Sequence, residues 1–183
     1  LIYLLGGQSH VGAGGITADV FSYNPISSQL TKTQSLANPI LGQTGVWVPN
    51  PPHGSRTPMF YLFGGSQDDP NHIQSYQPGG SPAGKMLGIT LPLPAVFATS
   101  VYDSDTDKVY IIGNSIDPRG DYIQEFDPNH PTDSIKFYYF SSFGPVTVTR
   151  AHAPAFYDSF LKRIVIFSGE VPGKNPGQII WLD

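Results

Sequence analysis

Ile2-Tyr3-Leu4-Leu5-Gly6-Gly7 is a short apolar run that stops at two glycines, and Phe60-Tyr61-Leu62-Phe63-Gly64-Gly65 has the same form. The form recurs as Val109 to Ile112 running into Gly113-Asn114, and as Ile164 to Phe167 running into Ser168-Gly169. The first small residues stand at 6, 64, 113 and 168, so the intervals are 58, 49 and 55 residues. A period near fifty built from short strands is the mark of a radial or stacked repeat. Working outward from each run, a second strand with an aromatic near its end follows: Asp19 to Tyr23, Ile73 to Tyr76, Tyr122 to Phe126 and Gln178 to Trp181. Three of these enter a proline turn, at Asn24-Pro25, Gln77-Pro78 and Asp127-Pro128, with proline at an early turn position that suits its fixed φ. A more polar strand comes next, at Gln29 to Leu36, Lys85 to Leu91 and Ile135 to Phe140, as expected of an outer edge. Before each later run lies one more strand, at Gly45 to Val48, Ala98 to Tyr102 and Ala153 to Tyr157. No window carries apolar residues at helical spacing over three turns, so helix is not expected.

Strands in the order a-b-c-d, antiparallel and joined by short turns, make one blade of a β-propeller. The small pair at the end of strand b lets the chain turn with positive φ and lets a neighbouring strand approach, so it is read as structural, not as a phosphate cradle. Gly12-Ala13-Gly14-Gly15 follows no strand-to-helix pattern and is not a nucleotide loop. An apolar strand, Gly-Gly and an aromatic about a dozen residues later resemble the kelch repeat, within the superfamily of the galactose oxidase central domain. Arg150-Ala151-His152-Ala153 is similar to the kelch Arg-x-x-His neighbourhood, one residue shorter. The third repeat departs at Asn114 and the fourth at Ser168 and Trp181. The resemblance covers nearly the whole chain and implies a fold, not a job, since kelch domains include adaptors, actin binders and copper oxidases.

The expected fold is therefore all-β, a propeller of four-stranded antiparallel kelch-like blades. Residues 1–183 form a single kelch-like region with blade segments 1–38, 39–94, 95–144 and 145–183. Reading begins in a strand b and stops in a strand c, giving fourteen strands and about three and a half to four blades, which is expected to be part of a larger ring. The lack of an initiator Met suggests a mature or trimmed chain.

Composition narrows the partners. The formal charge is −4 and the ten basic residues are scattered, which disfavours nucleic acid and an anionic membrane surface. There is no cysteine, so thiolate chemistry, Cys-type zinc sites and iron–sulfur clusters are excluded, as is the Cys–Tyr cofactor of kelch-type oxidases within this stretch. No apolar run is long enough to span a bilayer. Low charge and abundant small polar residues lean toward an extracellular or cell-surface protein, with the cytoplasm left open.

In kelch-like propellers the b–c and d–a loops share one face. Here the b–c loops are polar and differ between repeats, and loops on a rigid scaffold are where binding resides. Candidate ligand-binding residues on that face are His10, Asp68, Asp69, Arg119, Arg150, His152 and Glu170. Arg150 is the leading one, because the resemblance places an Arg there that faces a peptide carboxylate and an Arg fork can bind it in bidentate fashion; bridging of adjacent blades is its competing role. His72 is counted with the same rim, and Trp47 with the core. Asp103-Ser104-Asp105-Thr106-Asp107 opens like a calcium loop, but Lys108 and Asn114 stand where such a loop needs Gly and Glu, so it is read as a hairpin held by Asx hydrogen bonds. No nucleophile elbow or zinc-protease motif occurs. The expected function is a non-enzymatic scaffold binding a protein or peptide, with no catalytic residue, metal or cofactor. Two alternatives stand beside it: a carbohydrate-binding propeller, and part of a copper oxidase with catalytic residues elsewhere.

Overall fold

A computed structural model describes residues 1–8, 15–50, 56–65, 68–113, 122–139, 152–167 and 179–182, with no helix among them. Among the described residues, fourteen strands make four antiparallel sheets in chain order. The first sheet holds β1 (Ile2–Gln8), β2 (Ile16–Asn24) and β3 (Gln29–Lys32). In the second, β4 (Thr44–Val48), β5 (Met59–Phe63), β6 (His72–Tyr76) and β7 (Gly84–Thr90) lie side by side. The third repeats this with β8 (Thr99–Asp103), β9 (Lys108–Ile112), β10 (Tyr122–Phe126) and β11 (Lys136–Tyr139). The fourth comprises β12 (Ala155–Asp158), β13 (Arg163–Phe167) and β14 (Ile179–Leu182). All fourteen strands fall where the repeat places them, with ends shifted by a few residues; β3 is shorter than its polar run, and β1 continues through Gly6-Gly7 over a bulge.

Alternation along the middle strands decides how the sheets stack. Residues one and three places before each small pair point to the following sheet, and those two and four places before it point to the preceding one. Thus Tyr3 and Leu5 pack with Phe60 and Leu62. Tyr61 and Phe63 pack with Val109 and Ile111, and Ile112 and Tyr110 pack with Ile164 and Ile166. Three apolar clusters therefore join four sheets in series, and among the described residues no cluster joins the first sheet to the fourth. The leading strands β4, β8 and β12 contact one another in turn, with Thr44 Oγ1 and Ser100 Oγ hydrogen bonded at 2.9 Å. The last strands β3 and β11 are exposed edges. Trp47 corrects an expectation. It is 41% exposed and leans its ring on Phe60 at 4.7 Å, because its strand position faces the first sheet beyond the reach of that junction's core.

The glycine pair of the second repeat has the role its sequence suggests. Gly64 has φ +60°, and a Cβ there would lie 2.1 Å from the Ala95 carbonyl oxygen; Gly65 has φ +99° and leaves no room against Ile40. The hairpin at Asp103 is an Asx turn: its Oδ1 accepts from the Asp105 and Thr106 backbone N–H groups at 2.8 and 3.3 Å. Asp158 accepts in the same way from Phe160 and Leu161 in the next repeat.

At the sheet end carrying these hairpins, polar side chains tie neighbouring sheets together. Arg56, before β5, donates to both carboxylate oxygens of Asp107 at 2.9 and 3.2 Å, to Asn129 at 2.8 Å and to the Pro49 carbonyl at 2.9 Å. Burial opposes ionisation of Asp107, but hydrogen bonds from Arg56, Tyr102 and Asn129 outweigh it and hold the carboxyl below its ordinary value. Lys162 pairs with Asp105, continuing the ties to the fourth sheet.

Candidate functional site

The opposite end of the second sheet carries the described part of the β5–β6 connection and the segment that leads into β4, and two features meet there. The first is a cleft of about 330 Å³ between the first two sheets, walled by Ile16 at the start of β2, by Asn38-Pro39-Ile40 ahead of β4, and by Asp68, Asp69 and His72. The short connection bearing the two aspartates is clamped by its backbone. Leu91 N–H donates to Asn71 O at 2.7 Å, Ala95 N–H to Pro70 O at 2.8 Å, and the Asn71 side chain to Leu91 O at 2.7 Å. Inside the second sheet, Gln74 is fully buried and reaches across to the backbone of Asn38 at 3.3 and 3.4 Å, which holds the other wall.

His72 is not the rim residue expected from sequence. It opens β6 and is only 2% exposed. Its Nδ1 lies 2.6 Å from the Asp69 carbonyl oxygen, an acceptor, so Nδ1 carries the proton and Nε2 is left as an acceptor. That Nε2 is buried and has no partner, and a buried polar atom without a partner is uncommon in folded proteins. The Asp69 side chain is 59% exposed beside it. Asp68 and Asp69 make the polar side of the cleft rich in acceptors, so it suits a group that carries several donors.

The second feature is a stair of residues in the left-handed region. Gly42, Phe97 and His152 stand 55 residues apart at matching places ahead of β4, β8 and β12, with φ of 72°, 53° and 56°. Phe97 N–H donates to Gly42 O at 2.8 Å, and His152 N–H to Phe97 O at 3.0 Å. The Phe97 ring lies over Gly42, where an added Cβ would come within 3.0 Å of it. The His152 ring then stacks on Phe97 at 4.7 Å. Positive φ in a bulky residue such as Phe is strained, and strain of this kind concentrates at functional sites. Both rings remain partly in solvent.

Of the residues singled out from sequence, Asp68 and Asp69 come together at the cleft and His152 joins the stair. His10, Arg119, Arg150 and Glu170 lie outside the described residues. Phe97 was missed, and so was the Asn38-Pro39-Ile40 wall. The signal for Phe97 was its 55-residue register with Gly42 and His152, which chemistry-bearing motifs do not show.

No protein-family model and no curated protein matches the chain. Among solved structures the chain is similar to one described as the structure of YjhT, with a TM-score of 0.64 and 16% identity. The match covers 91% of this chain and 55% of that one, so the chain spans little more than half the length of this neighbour. At that identity the likeness concerns the fold alone. Among the described residues, no helix is long and apolar enough to cross a membrane.

Proposed function

We propose that the four sheets are blades of a kelch-like propeller and that the chain is a non-enzymatic interaction module. It binds a segment of a partner protein across the face where the b–c and d–a connections meet. The blade reading is supported by serial face-to-face packing and by leading strands in mutual contact. The observation that carries the binding reading is the adjacency of an acceptor-rich cleft and an exposed aromatic stack, both on the connection 38–42. Acidic acceptors beside an aromatic ring form a receptor for a Lys or Arg side chain, the cation entering the cleft and the apolar stem or a neighbouring residue resting on the ring. Elements clamped beforehand lose little entropy on binding, which favours capture of an extended peptide.

The test uses fluorescence anisotropy with a panel of labelled peptides that differ only in Arg, Gln or Glu at a central position. Arg peptides are expected to bind at least tenfold more tightly than Glu peptides, since opposite charge is favoured and like charge is penalised across an interface. Asp69→Asn and Phe97→Ala are each expected to weaken that binding about tenfold without altering the circular dichroism spectrum. Equal affinity across the panel, or capture indifferent to both substitutions, overturns this reading. Retention on a glycan array in place of peptide binding would transfer the site to the carbohydrate alternative.

A further inference from the structure

The second and third sheets hold the connections ahead of them in the same way, and one exchange of side chain sets them apart. Gln74 in β6 and Gln124 in β10 are both fully buried. Through Oε1 each accepts a backbone N–H from the connection ahead, Gln74 from Asn38 at 3.3 Å and Gln124 from Leu93 at 2.9 Å. Asn38 and Leu93 stand 55 residues apart, in the register that relates Gly42 to Phe97, so Pro39 corresponds to Pro94. Two residues before each glutamine, at the opening of its strand, His72 corresponds to Tyr122. Residues two apart share a face of a strand, so both rings point with the glutamines toward the connection ahead. Tyr122 is fully buried, and its hydroxyl donates to the Pro94 carbonyl at 2.8 Å. The shorter imidazole of His72 does not fill the matching space: there the cleft of about 330 Å³ opens, between His72 and Asn38-Pro39-Ile40. The cleft therefore lies where a tyrosine ring is packed one junction later.

We infer that this slot selects arginine from the partner segment, the guanidinium taking the place that the Tyr122 ring has in the next junction, and that histidine in place of tyrosine at position 72 is what opens it. The inference rests on the reading that the loop face captures a basic segment, and it names the side chain that the cleft receives. A guanidinium is flat, as a phenol is, and carries five N–H donors in one plane. Those donors can serve the Pro39 carbonyl, which is the counterpart of the Pro94 acceptor, together with the carboxylates of Asp68 and Asp69 that line the same cleft. A lysine ammonium gathers its donors at one point and does not fill a flat slot. A tyrosine would match the shape, but its single donor would leave two carboxylates without a countercharge.

Isothermal titration with three small probes, the N-acetyl methylamides of arginine, lysine and tyrosine, tests this. The arginine compound is expected to bind at least about tenfold more tightly than either of the others. His72→Tyr restores the filled junction, so it should keep the circular dichroism spectrum and lose arginine-probe affinity by about tenfold or more. His72→Phe fills the slot without needing the carbonyl acceptor and serves as the second variant if His72→Tyr does not fold. A parent chain that binds none of the probes, equal affinity for arginine and lysine, preference for the tyrosine compound, or undiminished arginine binding in a folded ring variant each overturns the inference. The labelled Arg peptides separate it from the wider reading. Undiminished peptide capture by His72→Tyr discards the slot and keeps the interaction module, whereas arginine-probe binding by a chain that captures no peptide keeps the slot and discards the module.

Discussion

Gly64 and Arg56 carry opposite kinds of constraint, one steric and one electrostatic. At Gly64 the Ala95 carbonyl occupies the space of a Cβ and the backbone is already left-handed. Gly64→Ala is expected to cost at least about 3 kcal/mol, adding a left-handed backbone penalty to an overpacking one; urea unfolding measures it, and a loss under about 1 kcal/mol would show that the connection from the second sheet to the third yields easily. Arg56 has a 9% exposed side chain and the carboxylate of Asp107 as its main partner. Arg56→Ala leaves that carboxylate largely buried without its cation, and a loss of about 3 kcal/mol is expected. An Asp107→Asn, Arg56→Ala double variant should recover part of it, because the stranded charge is gone; no recovery would mean that packing of the Arg stem is what matters.

Strand pairs and their turns respond to pH as units. Asp127 sits where β10 enters its turn; burial opposes its ionisation, yet hydrogen bonds from Lys108, His130 and the Asn129 backbone bring its pKa down to about 2. Asp107 is depressed as well. A depressed carboxyl adds stability that is fully present above its unfolded pKa and is lost as pH falls through the folded one. The third sheet should therefore lose stability between about pH 4 and pH 2. On the alkaline side, burial and the 2.6 Å hydrogen bond to Asp107 push Tyr102 up to about 12. That contribution is present below pH 10 and is lost as pH rises toward 12. Melting temperatures across pH should show a plateau between these limits, and Asp127→Asn should flatten the acid limb. An unchanged acid limb in that variant would place the titrating group elsewhere.

Across the whole molecule, stability is a sum of sheets and junctions between neighbours, as in other serial architectures. Leu62→Ala removes a buried side chain from the junction of the first two sheets and is expected to cost about 2–4 kcal/mol. Hydrogen exchange should then quicken in β1 to β7 while β12 and β13 keep most of their protection. Uniform quickening of all four sheets would mean that the molecule opens as one cooperative unit.

The alternation and spacing of apolar residues, the small pairs and the proline turns determined from sequence alone that there would be fourteen strands grouped as three, four, four and three. Those features act within a few residues, and strand period and turn conformation are local properties. They also marked Asp103 as an Asx hairpin and Asp68-Asp69 as a site candidate. Tertiary structure alone decided that His72 is buried, that Trp47 is half in solvent, that Phe97 is left-handed beneath the His152 ring, and that Arg56 joins Asp107 fifty-one residues away. Each of these depends on which sheet lies opposite, and a residue's neighbours across a junction are set by the stacking of whole sheets, which no local stretch of sequence encodes.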